Sequence, residues 1–131
     1  MSRLGSLDVG ARVDVPAAAA WAAISRFEHW PAWGPTVTAV DPPRGDVVPG
    51  ASGHVRSLAG PWIPFRVDEV DPGRRWTWHV ARVPATGHRV EADGPDACRV
   101  VFEVPLWAAP YAAVCRLAIP RIARVARDLL T

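Results

Sequence analysis

The first part of the chain predicts a strand followed by a helix. Apolar residues alternate there with polar residues or glycine, at Leu7, Val9, Ala11, Val13 and Val15. A period of two is typical of a strand that buries one face. Pro16 ends the alternation and suits the first turn of a helix. Apolar residues three or four apart then predict a helix over residues 17–25.

The middle of the chain predicts a second short helix and then a series of hairpins. Ser25 and Glu28 have the spacing of a capping box, and Pro31 limits the length of the helix that it starts. Residues 36–40 are expected to be extended, and residues 42–53 form a loop rich in proline and glycine. Turn residues then separate five apolar segments and indicate consecutive antiparallel hairpins. The predicted strands are 53–59, 63–71, 74–82, 87–93 and 97–104.

The end of the chain has a helical pattern. At 100° per residue, eight apolar residues fall within one arc: Trp107, Tyr111, Val114, Cys115, Ala118, Ile122, Val125 and Leu129. We expect this helix to start between residues 105 and 111. Pro120 cannot donate to the carbonyl of Arg116, which predicts a bend near residues 116–120.

This order of elements predicts an α+β fold. A single antiparallel sheet has one face to bury, and the long helix has one apolar face to offer. A curved sheet of six or seven strands that wraps around the C-terminal helix satisfies both. The two short helices after the first strand would close one end, and the first strand would lie beside the last.

Composition narrows the possible classes of function. The chain has 131 residues, 50% hydrophobic and 21% charged, which fits one folded domain, residues 1–131. Its net charge is +2, and the 15 basic residues are arginines scattered among acids, so nucleic acid is not an expected partner. No group of His, Cys and Asp has metal-ligand spacing, and no glycine-rich phosphate loop precedes a helix. We therefore expect no metal and no other cofactor.

The sequence also bears on location and assembly. No apolar run is long enough to span a membrane, and none follows Met1 as in a secretory signal. We expect a cytoplasmic protein, a monomer or a homodimer, in which Cys98 and Cys115 are free thiols.

Strand alternation and helix periodicity together predict the walls of one cavity. The residues of the inward sheet face, and those of the helix arc opposite them, are Trp76, Trp78, His88, Phe102, Tyr111 and Cys115. We predict that the largest cavity lies between them. Such a cavity suits a flat, weakly polar ligand, because an unpaired buried charge is costly.

Two residues of this region are candidates for an acid or a base. His88 shares a strand face with Val90 and would present its imidazole to the cavity, although a partly solvated strand end is the alternative. Glu69 has the parity of Val67 and would be an inward carboxylate, unless it is solvated beside the following turn. Cys98 is interpreted as a small core residue rather than a nucleophile.

The remaining tryptophans are assigned by their neighbours along the chain. Trp62 follows Gly60 and Pro61 at a hairpin tip, where a tryptophan guards a cavity mouth or meets a partner. We place it at the mouth. Trp30 and Trp33 are assigned to the short-helix cap.

The order of segments and their local sequences resemble the SRPBCC superfamily, whose fold is also called START, Bet v 1-like or helix-grip. Residues 13–21 are similar to its opening strand followed by Ala-Pro-x-x-x-Val-Trp, and residues 25–33 to its segment s-x-f-x-x-w-p-x-W. Residues 67–78 are similar to the hairpin v-x-e-x-x-P-x-r-r-l-t-w of the bacterial polyketide cyclase/dehydrase and lipid transport branch. Residues 88–92 and 98–104 match the last two strands of that branch.

The resemblance covers about residues 6–130 and implies a ligand cavity between helix and sheet. We expect binding of a hydrophobic, lipid-like or aromatic small molecule there. Because the superfamily hosts several functions, two alternatives stay open. One is a cyclase, aromatase or dehydratase reaction with His88 or Glu69 as acid or base. The other is a protein-interaction module with a filled cavity, which a cavity well below about 300 Å³ would favour.

Overall fold

The computed structural model describes residues 5–58 and 60–131. In chain order the elements are β1 (Ser6–Val13), α1 (Ala17–Ser25), a 3-10 turn (Phe27–His29), α2 (Trp30–Trp33), β2 (Val37–Asp41), β3 (Ser52–Ser57), β4 (Trp62–Asp71), β5 (Arg75–Val80), β6 (Val83–Ala92), β7 (Cys98–Pro105), a 3-10 segment (Leu106–Tyr111) and α3 (Ala112–Asp128). The last residue of the strand predicted at 53–59 lies outside the described residues.

The strands form one antiparallel sheet of seven, in the order β1-β7-β6-β5-β4-β3-β2. β1 pairs with β7 from Ser6 opposite Pro105 to Val13 opposite Cys98, which confirms that the first strand lies beside the last. The extended segment predicted at residues 36–40 is β2, the strand at the opposite edge. This sheet, the short helices after β1 and the long α3 are the helix-grip fold.

The hairpins differ from the prediction at one turn. The connection predicted between the strands 74–82 and 87–93 lies inside β6, and the chain reverses earlier, at Ala81 and Arg82, where φ is 52° and 66°. Two residues with positive φ give the backbone twist that a tight hairpin needs. Asn, Asp or Gly usually occupy such positions, so the Ala-Arg sequence carries no turn signal.

The C-terminal helix begins later than its apolar pattern predicts. Residues Leu106–Tyr111 form a 3-10 segment in which Ala108 is not helical, and α3 follows from Ala112. The rotation of 100° per residue of an α-helix therefore does not apply before Ala112. Trp107, which was predicted to face inward, is 65% exposed. α3 continues through Pro120 to Asp128 as one helix, and the bend near residues 116–120 stays a prediction. In the described part of the chain, no helix combines the length and apolarity needed to cross a membrane.

The convex face of the sheet holds a buried ion-pair network. The side chain of Glu103 is fully buried and accepts hydrogen bonds of 2.8 Å from Arg75 Nη2 and Arg89 Nη1. Burial alone raises the pKa of Glu103, but the bonds from both arginines outweigh it and hold the pKa below its usual range. Gly87 is required beneath it, because a Cβ there would lie 2.6 Å from Glu103 Oε1. The network connects β5, β6 and β7 and leaves the concave face free for apolar side chains.

Candidate functional site

The space between the concave face of the sheet and α3 is divided in two. An inner chamber has a volume of about 40 Å³, and an outer cleft has a volume of about 260 Å³. Four residues line both of them, Val37, Trp78, Thr86 and Tyr111. These four side chains form the boundary between the two spaces.

The inner chamber is where the sequence predicts the cavity. The structure brings all six predicted residues of the sheet face and the helix arc to its walls: Trp76, Trp78, His88, Phe102, Tyr111 and Cys115. Ligand pockets in proteins have volumes of roughly 300–1,000 Å³. A chamber of about 40 Å³ cannot hold such a ligand, so the prediction that the largest cavity lies here is wrong.

Two tryptophans of α2 fill the rest of this space. The indole of Trp30 stacks on that of Trp76, with ring centroids 5.3 Å apart and planes 7° apart. Trp33 packs against Phe102 at 6.0 Å and His88 at 6.3 Å. Both residues lie on the short helix α2, as assigned, but their indoles are buried and line the inner chamber instead of only closing one end.

Hydrogen bonds to α1 hold these two indoles in place. Trp30 Nε1 donates to the carbonyl of Ile24 at 3.0 Å, and Trp33 Nε1 donates to the carbonyl of Ala23 at 2.9 Å. These carbonyls belong to the last turn of α1, where no intrahelical donor is available to them. The bonds therefore satisfy buried groups on both partners, and the filled chamber is a stable part of the fold.

The imidazole of His88 belongs to a polar chain inside the aromatic cluster. Thr86 Oγ1 lies 3.2 Å from Trp78 Nε1 and 3.1 Å from His88 Nε2, and His88 Nδ1 lies 3.3 Å from the carbonyl of Trp76. An indole N–H only donates and a carbonyl only accepts. We therefore assign the proton to Nδ1, so that the Thr86 hydroxyl donates to Nε2. Both ring nitrogens are engaged, and Thr86 separates His88 from the outer cleft.

Burial controls the chemistry of the remaining polar groups. Desolvation raises the pKa of the Cys115 thiol to about 12 and also raises the pKa of Cys98. Neither cysteine is a nucleophile near neutral pH, because the thiolate is the reactive form. Trp76 is fully buried, and its Nε1–H has no hydrogen-bond partner among the described residues.

The outer cleft has mainly apolar walls. They come from β2, β3, β4, β5 and the 3-10 segment before α3, and include Val37, Val55, Ile63, Val80 and Ala108. Trp78 separates the cleft from the inner chamber, and Trp107 lies at the outer end. Of the described residues that line the cleft, none belongs to α2, and two of them, Ala85 and Ala108, have small side chains.

One pair of hydroxyl groups supplies the polar chemistry of the cleft. Thr36 Oγ1 and Tyr111 Oη are 2.7 Å apart and join the start of β2 to the start of α3. Burial raises the pKa of Tyr111 more than the bond to Thr36 lowers it, so the phenol is protonated at neutral pH. Arg56 is the other ionisable residue of the cleft wall, and its Nε donates to the carbonyl of Gly60 at 3.3 Å.

The sequence matches, over residues 6–130, the family described as Polyketide cyclase / dehydrase and lipid transport. The chain belongs to this family. The match covers nearly all of the chain and confirms the resemblance to the SRPBCC superfamily. No curated protein sequence matches the chain significantly.

Solved structures of the same fold include an aromatase/cyclase and a synthase. The Zhui aromatase/cyclase from Streptomyces sp. R1128 has a TM-score of 0.71 and 11% identity, over 96% of this chain and 95% of that one. The protein XoxI from Bacillus cereus has a TM-score of 0.71 and 13% identity, over 100% and 99% of the two chains. Norcoclaurine synthase from Thalictrum flavum, in complex with dopamine and hydroxybenzaldehyde, has a TM-score of 0.62 and 12% identity, over 94% and 86%. At these identities, the likeness concerns the fold.

Two predicted site residues lie outside both spaces. The side chain of Glu69 is 79% exposed, and its Oε2 lies 3.7 Å from Arg75 Nη1 on the convex face. A register shift between Val67 and Val70 breaks the alternation of β4, so the prediction that Glu69 faces the cavity is wrong. Trp62 is exposed and alternates with Ile63, which lines the cleft. Its predicted place at the mouth is therefore wrong: it lies on the other face of β4.

Several cleft residues were missed by the sequence reasoning. Val37, Ile63 and Val80 occupy inward strand positions, but they look like ordinary core residues in the sequence. Thr36 and Thr86 were missed because a threonine in a strand is common and carries no signal of its partner. Tyr111, the single tyrosine of the chain, was predicted as a wall residue, but its hydroxyl group was not recognised as the polar group of an apolar space. Among the described residues, no group of three His, Cys, Asp or Glu could hold a metal ion.

Proposed function

We propose that the protein binds a flat, weakly polar small molecule in the outer cleft. The observation that carries this proposal is the volume of about 260 Å³ with apolar walls, open between β2, β5 and the start of α3. This volume lies just below the usual range of ligand pockets and suits a ligand of two or three fused or linked rings. The family, which is described by cyclase, dehydrase and lipid transport functions, supports binding of a hydrophobic ligand.

The polar groups of the cleft define which ligand it prefers. The hydroxyls of Thr36 and Tyr111 both donate and accept, so together they can bind one carbonyl or hydroxyl group of a ligand. No carboxylate and no imidazole is among the residues that line the cleft. A ligand with a buried ammonium group would therefore find no counter-charge, so a cationic ligand is disfavoured.

A cyclase or dehydratase reaction is the second candidate. Its support is Tyr111, whose protonated phenol can donate a hydrogen bond to a substrate carbonyl as a polyketide chain folds in the cleft. Proton abstraction from carbon also requires a base. The imidazole of His88 is hydrogen-bonded to Thr86 and does not line the cleft, and Glu69 lies on the convex face of the sheet. Binding without catalysis is therefore the first candidate. Because the inner chamber is filled, a protein-interaction module is the third candidate. This function would be favoured if none of the tested small molecules bound in the cleft.

A titration with a fluorescent probe tests the proposal. N-phenyl-1-naphthylamine is neutral, flat and apolar, and its emission increases in apolar sites. Ala85 lines the cleft on β6, and Ala85→Leu should weaken probe binding by about tenfold or more by filling the cleft. The control is Ala11→Leu, a change of the same size at an exposed position of β1. Equal affinity of both variants and the parent would reject the cleft as the site.

A further inference from the structure

Large exposed apolar side chains concentrate at one end of the sheet. Five of them form what we name the apolar rim: Leu58, Trp62, Val83, Leu106 and Trp107. Their exposed fractions range from 41% to 66%. Contiguous exposed apolar surface is uncommon on proteins that meet only water, and it marks contact sites.

Strand register places these residues together. Arg56 pairs with Trp62 at the β3–β4 connection, and Val80 pairs with Val83 at the β5–β6 connection. Phe65 pairs with Val80, so both connections lie at the same end of the sheet. There the end of β7 leads into Leu106 and Trp107, beside the start of β1. The rim therefore consists of three neighbouring tips rather than one flat surface.

The rim adjoins the outer cleft. Trp107 lines the cleft on one side and, on the other, an open groove of about 620 Å³ that also contacts Val83 and Leu106. Ser57 and Pro105, which lead into two of the tips, line the cleft as well. The rim and the cleft therefore share Trp107 and adjoin each other at two of the tips.

The charges around the rim have one sign. The described residues of the three tips, 56–58 with 60–64, 79–86 and 105–111, include Arg56 and Arg82 but no Asp or Glu. Within the described residues, neither arginine has a carboxylate partner. Asp8 and Asp68, the nearest acids along the strands, are paired with Arg89 and His79. The expected partner is therefore anionic as well as apolar.

We propose that the apolar rim docks on the surface of an anionic lipid bilayer. Tryptophan and leucine side chains on separate tips can each enter the boundary between headgroups and acyl chains, while Arg56 and Arg82 meet the lipid phosphates. A second copy of the chain fits less well, because a two-fold contact through the rim would bring the arginines of both copies together. The proposal rests on exposed side chains and charge, so it can fail or succeed independently of the cleft ligand.

Vesicle co-sedimentation tests this docking. We expect the parent protein to sediment with vesicles of phosphatidylcholine and phosphatidylglycerol, and much less with phosphatidylcholine alone or at high salt. Trp62→Ser/Leu106→Ser should lower the bound fraction at least fivefold. Neither residue lines the cleft, and a circular dichroism spectrum and a urea unfolding midpoint close to those of the parent would show that the variant is folded.

The control replaces two equally exposed leucines away from the rim, as Leu117→Ser/Leu130→Ser, and should sediment like the parent. Three outcomes overturn the proposal. One is no sedimentation of the parent with anionic vesicles. Another is equal sedimentation of the rim variant and the parent. The third is a parent dimer in solution that the rim variant converts to a monomer, which makes the rim an interface between copies.

Discussion

The inner chamber and the outer cleft lie between the same sheet and the same end of α3, yet one is filled and the other is open. They share the walls Val37, Trp78, Thr86 and Tyr111. The difference lies in what the neighbouring elements insert. α2 places Trp30 and Trp33 in the inner chamber, whereas none of the described residues that line the outer cleft belongs to α2.

If a ligand binds as proposed, the four-residue helix α2 limits how deep it can enter. The indoles of α2 are fixed by hydrogen bonds to α1 and by stacking on Trp76, so the inner half acts as core. The outer half has no such insertion and keeps its apolar walls open to a ligand. Substitutions in the inner chamber and at its boundary should therefore affect stability more than substitutions at the surface.

Removal of the more deeply buried indole of α2, that of Trp30, should have the largest effect. Trp30→Ala deletes a side chain that is 2% exposed and stacks on Trp76, and should lower the free energy of unfolding by about 3–5 kcal/mol. Urea unfolding followed by circular dichroism measures this loss. Trp62→Ala, at an exposed tryptophan, should cost about 0.5 kcal/mol. Similar losses in both variants would show that Trp30 is not part of the core.

The vacated inner chamber should also accept a small aromatic molecule. Engineered apolar cavities of about 150 Å³ bind benzene, so indole at millimolar concentration should restore part of the stability of Trp30→Ala and none of that of Trp62→Ala. Stabilisation of both variants by indole would indicate binding elsewhere.

A smaller loss is expected at the boundary between the two spaces. Thr86→Val removes the acceptor for Trp78 Nε1 and the donor for His88 Nε2, and it should cost about 1–3 kcal/mol because two buried groups lose a partner. Thr38→Val is the control, since the hydroxyl of Thr38 bonds the carbonyl of Arg56 at the surface. The control should lose about 0.5 kcal/mol. Equal losses at both threonines would contradict the polar chain.

The smallest effect concerns reactivity rather than stability. With its pKa raised to about 12, Cys115 stays protonated well above neutral pH, and alkylation accelerates only as pH rises toward that value. In a Cys98→Ala background at pH 8, iodoacetamide should modify the folded protein at least about tenfold more slowly than the urea-unfolded protein. Trp30→Ala should reduce this protection by opening the inner chamber. Equal rates in the folded and unfolded parent would place Cys115 outside the core.

Sequence patterns predicted the fold well because strand alternation is a strong and repeated signal. The inward faces of β5, β6 and β7 follow from it, and they hold Trp76, His88 and Phe102 as expected. The signal fails at Glu69, because a bulge after Val67 changes the parity and leaves no mark in the sequence. Such shifts depend on how neighbouring strands pair.

The division of the cavity could not be predicted from the sequence. A helix of four residues is too short to show a periodicity, so the direction of Trp30 and Trp33 depends on packing against α1 and the sheet. The predicted direction of Trp107 was wrong for a related reason. The 3-10 segment and the non-helical Ala108 interrupt the α-helical rotation from which that direction was derived. For both reasons the open cleft was not predicted. The residues of its walls look like ordinary core or helix residues in the sequence.

The central claim is that ligands bind in the outer cleft and stop at its boundary with the inner chamber, at Trp78 and Thr86, so that they do not reach the tryptophans of α2. The most direct test is ¹H–¹⁵N NMR of the seven indole N–H groups during titration with N-phenyl-1-naphthylamine, with each resonance assigned by a single Trp→Phe variant. We predict that the resonances of Trp78 and Trp107 shift with the ligand, while those of Trp30 and Trp33 do not. Shifts of Trp30 and Trp33 with no change at Trp78 and Trp107 would contradict the account.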